Sequence, residues 1–336
     1  MDAIHNTKLT GPEITNLWTQ YQSDSLSLCV NTYMYDTLEN DSDDIKSIFQ
    51  EAIAMSENNL SEIENIFKQV GYPIPQGFTK HDVHLEAPKL YSDAFCLKFL
   101  HEMTIHGISA YSLALTVSTR KDMRQFYEAK MQDGIHLYNQ TVDLLLAKGI
   151  YHRPPYLPNP VGIDFIKTEN FFSGFFGDKR TLNGNEISNV FFNLKKSIVT
   201  KALIIGFNQV VKSKEAQKIL TKGLEIKQKH IHLFSNVLTK DNLPAPQSWD
   251  SDVTDSTVPP FSDRLMMFFA GLLFGTAISY YGAGLGMTMR SDLVLQYERF
   301  ILEDLKYMED WTDFMVKNQW LEQPPKAIDR TEIIKE

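Results

Sequence analysis

The stretch Phe268–Gly286 reads FFAGLLFGTAISYYGAGLG and lies in an uncharged run from Leu265 to Met289, between Arg264 and Arg290. Such a run is either a membrane span or the centre of an apolar core, and the choice decides the fold. Its own composition argues both ways. Glycines at 271, 275, 282, 284 and 286 weaken the apolar signal. Yet the spacing of Gly271 and Gly275 also occurs where helices meet in lipid.

The rest of the chain resolves this, because the chain repeats itself. LTGPEITNL (9–17) returns as LNGNEISNV (182–190), PIPQGF (73–78) as PAPQSW (244–249), and YSD (91–93) as FSD (261–263). Arg120, Asp122, Tyr127 and Glu128 return as Arg290, Asp292, Tyr297 and Glu298. The offset narrows only from 173 residues (Leu9 to Leu182) to 170 (Arg120 to Arg290). The greasy run aligns with AFCLKFLHEMTIHGISAYSLALTVST (94–119), which carries Lys98, His101, Glu102 and His106. Each charge at the centre of a membrane helix costs about 3 kcal/mol. Two copies of one unit belong in one environment. The expectation is therefore a buried core helix and no transmembrane segment, with the glycines letting neighbouring helices come close. The units span 1–156 and 181–330, joined by a linker over 157–180 rich in Pro, Gly and Phe.

Each unit reads as four long helices. In the first they are expected near Glu13–Leu38, Asp43–Val70, Ser92–Ser118 and Lys121–Lys148. Ile14, Leu17, Tyr21, Leu28, Tyr35 and Leu38 mark an apolar stripe on the first helix. Phe49, Ile53, Leu60, Ile63, Phe67 and Val70 mark the second, and Met131, Ile135, Tyr138, Val142 and Leu145 the fourth. Asp41 to Asp43 punctuates helices 1 and 2, and Gly71 with Pro73 ends helix 2. Ser92 or Asp93 is the expected N-cap of helix 3, and Thr119 with Asp122 that of helix 4. No alternating run suggests a sheet. Connections 1–2 and 3–4 are short, so those pairs run antiparallel. The 2–3 connection, Gly71 to Tyr91, is long enough to travel the length of the helices. The fold expected is all-α: two tandem ferritin-like four-helix bundles, each with a long helix 2–3 crossover.

Ferritin-like bundles often hold two metals on Glu and Glu-x-x-His ligands. No Glu-x-x-His occurs in this chain. The nearest approach is a degenerate set at mid-height of the first unit: Asp24, Glu57, Glu102 and His106, a candidate for iron, manganese or zinc. The second unit has Ser197, Gln228, Leu272 and Thr276 there, which cannot hold a metal. Asp133-x-x-His136 and His81-x-x-His84 are weaker pairs, and His230 and His232 read as surface residues. A repeated pair also stands out. Tyr111 and Glu128 are equidistant from the helix 3–4 turn, as are Tyr281 and Glu298. A half-buried carboxylate needs a donor, so a Tyr–Glu hydrogen bond is expected in both units.

A net charge of −9 argues against a general nucleic-acid binder. The opening MDAIHNTKLTGPEI has no basic region followed by an apolar run, so no signal peptide is expected and the cytoplasm is the expected compartment. Cys29 and Cys96 read as buried, reduced thiols. No phosphate loop, Cys-x-x-Cys, His-Glu-x-x-His or Gly-x-Ser-x-Gly is present. Phe171, Phe172, Phe175 and Phe176 give the linker an aromatic cluster, either docked on the bundles or offered to a membrane surface.

LTGPEITNLW (9–18), PIPQGFTKHDV (73–83), LYSDAF (90–95) and STRKDM (118–123), with their second copies, resemble a family of two-bundle proteins from Bacillus-type spore formers. That family is similar to spore coat proteins of the coat-protein-F type. The resemblance implies a tandem ferritin-like fold and a spore-coat role, and supplies no catalytic residues. Two functional readings follow. One is a non-catalytic structural or binding protein with protein partners or self-association. The other is a metal-binding or oxidoreductase protein using the degenerate first-unit site.

Overall fold

The computed structural model describes residues 8–39, 42–174, 179–327 and 330. The opening seven residues, Asp41 and the linker residues Phe175 and Phe176 lie outside the described residues. Eight α-helices follow one another: α1 Gly11–Thr37, α2 Asp43–Val70, α3 Asp93–Thr116, α4 Lys121–Ala147, α5 Gly184–Val210, α6 Lys214–Lys240, α7 Asp263–Gly286 and α8 Ser291–Lys317. Short 3₁₀ turns sit at Glu169–Phe172 and Asp250–Asp252. Among the described residues there is no strand, only an isolated antiparallel bridge between Tyr91 and Val253. The all-helical reading of the sequence holds.

Local chemistry sets the helix ends. Thr10 caps α1 and Asn183 caps α5, each inside a reciprocal capping box with a glutamate at the third helical position. Gly71 closes α2 at φ 66°, a left-handed conformation that favours glycine. Ser92 accepts from Phe95 N (3.1 Å) at the start of α3, as Ser262 does from Leu265 N (3.1 Å) at the start of α7. Thr119 does not cap α4. Its hydroxyl instead donates to Glu13 Oε1 (3.2 Å).

The buried faces correct the sequence reading of α4. Its inward residues are Met123, Phe126, Tyr127, Lys130, Leu137, Thr141 and Leu145. The expected stripe of Met131, Ile135, Tyr138 and Val142 is only half-buried. The true stripe carries a lysine, a glycine and a threonine, so the hydrophobic pattern points about one residue away. On α2 the buried set is Ile45, Ile48, Phe49, Ala52, Ser56, Asn59, Ile63 and Phe67, while Val70 is exposed.

Contacts divide the chain into two compact units: unit 1 is Met1–Leu85, Leu100–Leu144 and Leu321–Glu336, and unit 2 is Glu86–Phe99 and Leu145–Trp320. In unit 1, α1 packs on α2. Glu322 closes back on the crossover, accepting from Gln76 N (2.8 Å) and Gly77 N (2.9 Å). In unit 2, α5 packs on α6 and α7, and α8 packs on α6 and α7. Phe192 meets Tyr280 and Phe207 meets Phe269, so α5 and α7 run antiparallel. Lys222 pairs with Asp310 and Glu215 with Lys317, so α6 and α8 do too. The segment 86–99 completes this unit. Tyr91 Oη donates to Leu203 O (2.7 Å), Ser92 N donates to Asp252 O (2.8 Å), and Phe99 meets Phe269 edge-on.

α7 is the greasy run. Among the described residues it is the one helix long and apolar enough to cross a membrane by length and composition, and half of its apolar window is buried inside the protein. Gly271 lies against the Trp311 indole, whose Nε1 donates to Met267 O (2.6 Å). Gly284 lies against the Tyr297 ring. The other three glycines (275, 282 and 286) face open space. Close approach therefore explains two of the five.

Candidate functional site

Two polar features recur in both repeats. The first ties a helix start to a distant turn. Glu13 Oε2 accepts from Thr10 N (2.7 Å), while Oε1 accepts from Thr119 N (2.7 Å) and Arg120 N (2.8 Å) in the α3–α4 turn. Glu186 repeats this. It accepts from Asn183 N (3.0 Å), Met289 N (3.1 Å) and Arg290 N (3.0 Å), and adds a bidentate pair with Arg180. Both glutamates are fully buried. Burial alone would raise the Glu13 carboxyl, but the converging N–H donors outweigh it and hold the group down to about 2. The Glu186 carboxyl is lowered for the same reason, with Arg180 its strongest helper against burial. Both motifs are visible in the sequence, but their reach to the distant turn is not. The Thr-x-x-Glu and Asn-x-x-Glu spacing of a capping box was the available signal.

The second feature is a tyrosine at the centre of each unit. In unit 1, Tyr111 Oη accepts from Gln20 Nε2 (3.4 Å) and Asn59 Nδ2 (3.3 Å). The buried Asp24 adjoins this group. Burial pushes its carboxyl up to about 7, against the opposing pull of the Gln20 and Asn59 amides and the Lys130 ammonium. In unit 2, Tyr281 Oη lies 3.1 Å from Ser197 Oγ and 3.1 Å from His230 Nδ1. His230 Nε2 lies 3.1 Å from Glu303 Oε2. A carboxylate only accepts, so Nε2 carries the proton and Nδ1 accepts from the Tyr281 hydroxyl. Burial and the neighbouring Lys227 charge hold the imidazole neutral, its pKa lowered to about 3. Beside it Lys227 and Asp304 form an ion pair (2.7 Å) with both side chains fully buried. Burial lowers the lysine and raises the aspartate, each against the attraction of the other. Lys227 also sits 3.9 Å from the Phe274 ring centroid.

The structure rearranges the sequence expectations. Asp24 is buried on α1, but Glu57 is exposed on α2. Glu102 is buried beside His101 (4.0 Å), and His106 is half-buried. Among the described residues no three His, Cys, Asp or Glu side chains gather closely enough to hold a metal ion. The four candidate ligands therefore do not form one site. Glu128 and Glu298 are both exposed, so neither is the buried partner of its tyrosine. They follow the half-buried stripe of Met131 and Ile135, one residue out of phase with the core. Tyr111 and Tyr281 find partners instead on the first and second helices of their repeats. His230, read as a surface residue, is fully buried, while His232 is exposed. The repeat offset was the signal for it. His230 stands where Asn59 stands, and Ser197 where Asp24 stands.

A search of the curated proteins finds no significant match. Among solved structures, that of a "putative spore coat protein" from Bacillus halodurans is similar at 15% identity and a TM-score of 0.40, covering 45% of this chain and 98% of that one. The family model of DUF3231, a protein family of unknown function, matches twice in succession, over residues 2–162 and 170–333. The chain therefore belongs to the DUF3231 family, which it carries as two tandem repeats.

Proposed function

We propose that this chain is a non-catalytic structural or binding protein made of two ferritin-like four-helix bundles, over 1–156 and 181–330, and that it serves in the spore coat. The antiparallel pairings of α5 with α7 and of α6 with α8, with a long connection between α6 and α7, support the ferritin-like topology. The observation that carries the non-catalytic reading is what fills the middle of unit 2. Ser197, Tyr281, His230 and Glu303 are bonded to one another, and Lys227 is bonded to Asp304. Groups satisfied by each other rigidify a core and present no free nucleophile. The coat role rests on the sequence resemblance, with the chain made in the cytoplasm before deposition.

Protein partners fit the exposed apolar linker. Leu157, Val161, Ile163 and Phe165 of the linker are each solvent-exposed, and exposed apolar side chains can seat a protein partner. Fractionation of spores from the producing organism tests the reading. The chain should appear in the coat extract, and recovery only from the spore core or from vegetative cytosol would contradict it. Elemental analysis of chelator-free protein should give iron, manganese and zinc together below about a tenth of an atom per chain. A stoichiometric metal would revive the oxidoreductase alternative.

A further inference from the structure

The second repeat buries a pair of charges that the first repeat does without. Lys227 on α6 and Asp304 on α8 are both 0% exposed, with Nζ 2.7 Å from Oδ2. The repeat offset places Ser56 where Lys227 stands and Gly134 where Asp304 stands. The first repeat therefore forms its helices with neither charge. A buried ion pair adds little stability by itself, because desolvation offsets most of its attraction. A pair found in one copy only calls for another role.

The surroundings favour a reaction between the two groups. Lys227 Nζ lies 3.9 Å from the Phe274 ring centroid and 5.5 Å from that of Tyr281. Tyr307 stacks on Phe274 (3.8 Å between centroids), and Phe300 stacks on His230 (3.9 Å). Gly223, one turn before Lys227, lets Tyr307 and Phe274 close over α6, 3.1 and 3.3 Å from where a Cβ would stand. Among these rings burial lowers the lysine and raises the aspartate, so both move toward their neutral forms. A neutral amine and a carboxylic acid are the two reactants of an amide bond. Asp304 Oδ1 has no hydrogen-bond partner, so the carboxyl is free to turn its face to the amine. A general base stands beside it. His230 Nδ1 lies 3.9 Å from Oδ1, and Glu303 orients the ring by holding Nε2 (3.1 Å).

We propose that Lys227 and Asp304 join through an isopeptide bond between Nζ and Cγ, which staples α6 to α8. The proton first crosses the existing hydrogen bond from the ammonium to the carboxylate. The amine then attacks Cγ, and His230 Nδ1 takes the proton that the nitrogen sheds. The Tyr281 hydroxyl makes way by turning to Ser197 Oγ (3.1 Å). His230 returns the proton to the departing hydroxyl as the Cγ–O bond breaks. One amide and one water form, with nothing oxidised or reduced. The reaction runs once per chain and turns over no outside substrate, so it goes beyond the non-catalytic reading without opposing it.

Mass spectrometry of the intact, denatured chain tests this. The mass should fall short of the sequence mass by one water. A tryptic digest should contain a branched peptide joining the segments around 227 and 304, because trypsin does not cut after an acylated lysine. Lys227→Arg keeps the charge and removes the amine nucleophile, so it should restore the full mass. His230→Asn removes the base and should leave most chains unjoined. A wild-type chain at the full sequence mass, the result an ordinary ion pair gives, overturns the proposal. So does a missing water that survives Lys227→Arg. Joining to the wild-type extent in His230→Asn overturns the part given to His230.

Discussion

Glu13 and Glu186 show how much a single side chain can organise. Each gathers backbone donors from its own helix start and from a turn more than a hundred residues away. Glu13→Gln or Glu186→Gln keeps the shape and removes the charge that strengthens those bonds, so each should destabilise by about 2–3 kcal/mol in denaturant titrations. The sign of the pH effect follows from the lowered carboxyl. Glu13 titrates near 4.5 when unfolded and at about 2 when folded. Its contribution is complete above the unfolded value and is lost as pH falls from there toward 2. His230 acts in a higher window. Its folded pKa of about 3 lies below the ordinary 6.5, so folding must keep the ring neutral and its contribution to stability declines as pH drops below 6.5. His230→Asn, which copies Asn59 of the first repeat, should remove that decline between about pH 6.5 and 4.5, leaving the opposite trend of Asp24, whose raised carboxyl favours the folded state as pH falls there, and the lower, glutamate-driven fall in place. An unchanged slope in that upper window would show that another group titrates there. These roles were hard to read because a capping box and a repeat offset identify positions, while burial of a charged or polar residue runs against the hydrophobic pattern.

At the scale of the helix, phase is what the sequence half conceals. The boundaries of α2 were legible to the residue, because acids open it and Gly71 ends it in the one backbone conformation that suits glycine. The face of α4 was not, because Lys130, Gly134 and Thr141 occupy inward positions. The second copy shows the phase clearly, with Leu293, Tyr297, Phe300, Tyr307, Trp311 and Phe314 all buried on α8. Reading α4 through α8 would have placed Glu128 and Glu298 outside. Glu128→Ala and Glu298→Ala should accordingly change stability by less than about 0.5 kcal/mol, whereas Tyr127→Ala should cost about 3–5 kcal/mol. Glycines on α7 divide in the same way. A Cβ at Gly271 would fall inside the Trp311 indole, so Gly271→Ala should destabilise by about 1–3 kcal/mol. Gly275 faces open space, so Gly275→Ala should be neutral or stabilise by up to about 1 kcal/mol through the helix backbone.

Over the whole chain, duplication is the fact from which the rest follows. It is visible in short matching phrases, and it places the greasy run opposite a charged one. What the phrases did not reveal is that compactness does not follow the repeat boundary, since residues 86–99 of the first repeat complete unit 2. The reason is physical: Tyr91, Ser92 and Phe99 find their partners on α5, the second crossover and α7. A protease nick in the exposed linker at Val161 or Ile163 should therefore leave two fragments that elute together under native conditions and separate only in denaturant.

Amide hydrogen exchange of the intact chain in detergent-free buffer tests the duplicated helical architecture most directly. Slow exchange should map onto 11–37, 43–70, 93–116 and 121–147 and recur over 184–210, 214–240, 263–286 and 291–317, with faster exchange in both long crossovers. Rapid exchange throughout 263–286, or a protection pattern in one half with no counterpart in the other, would contradict it.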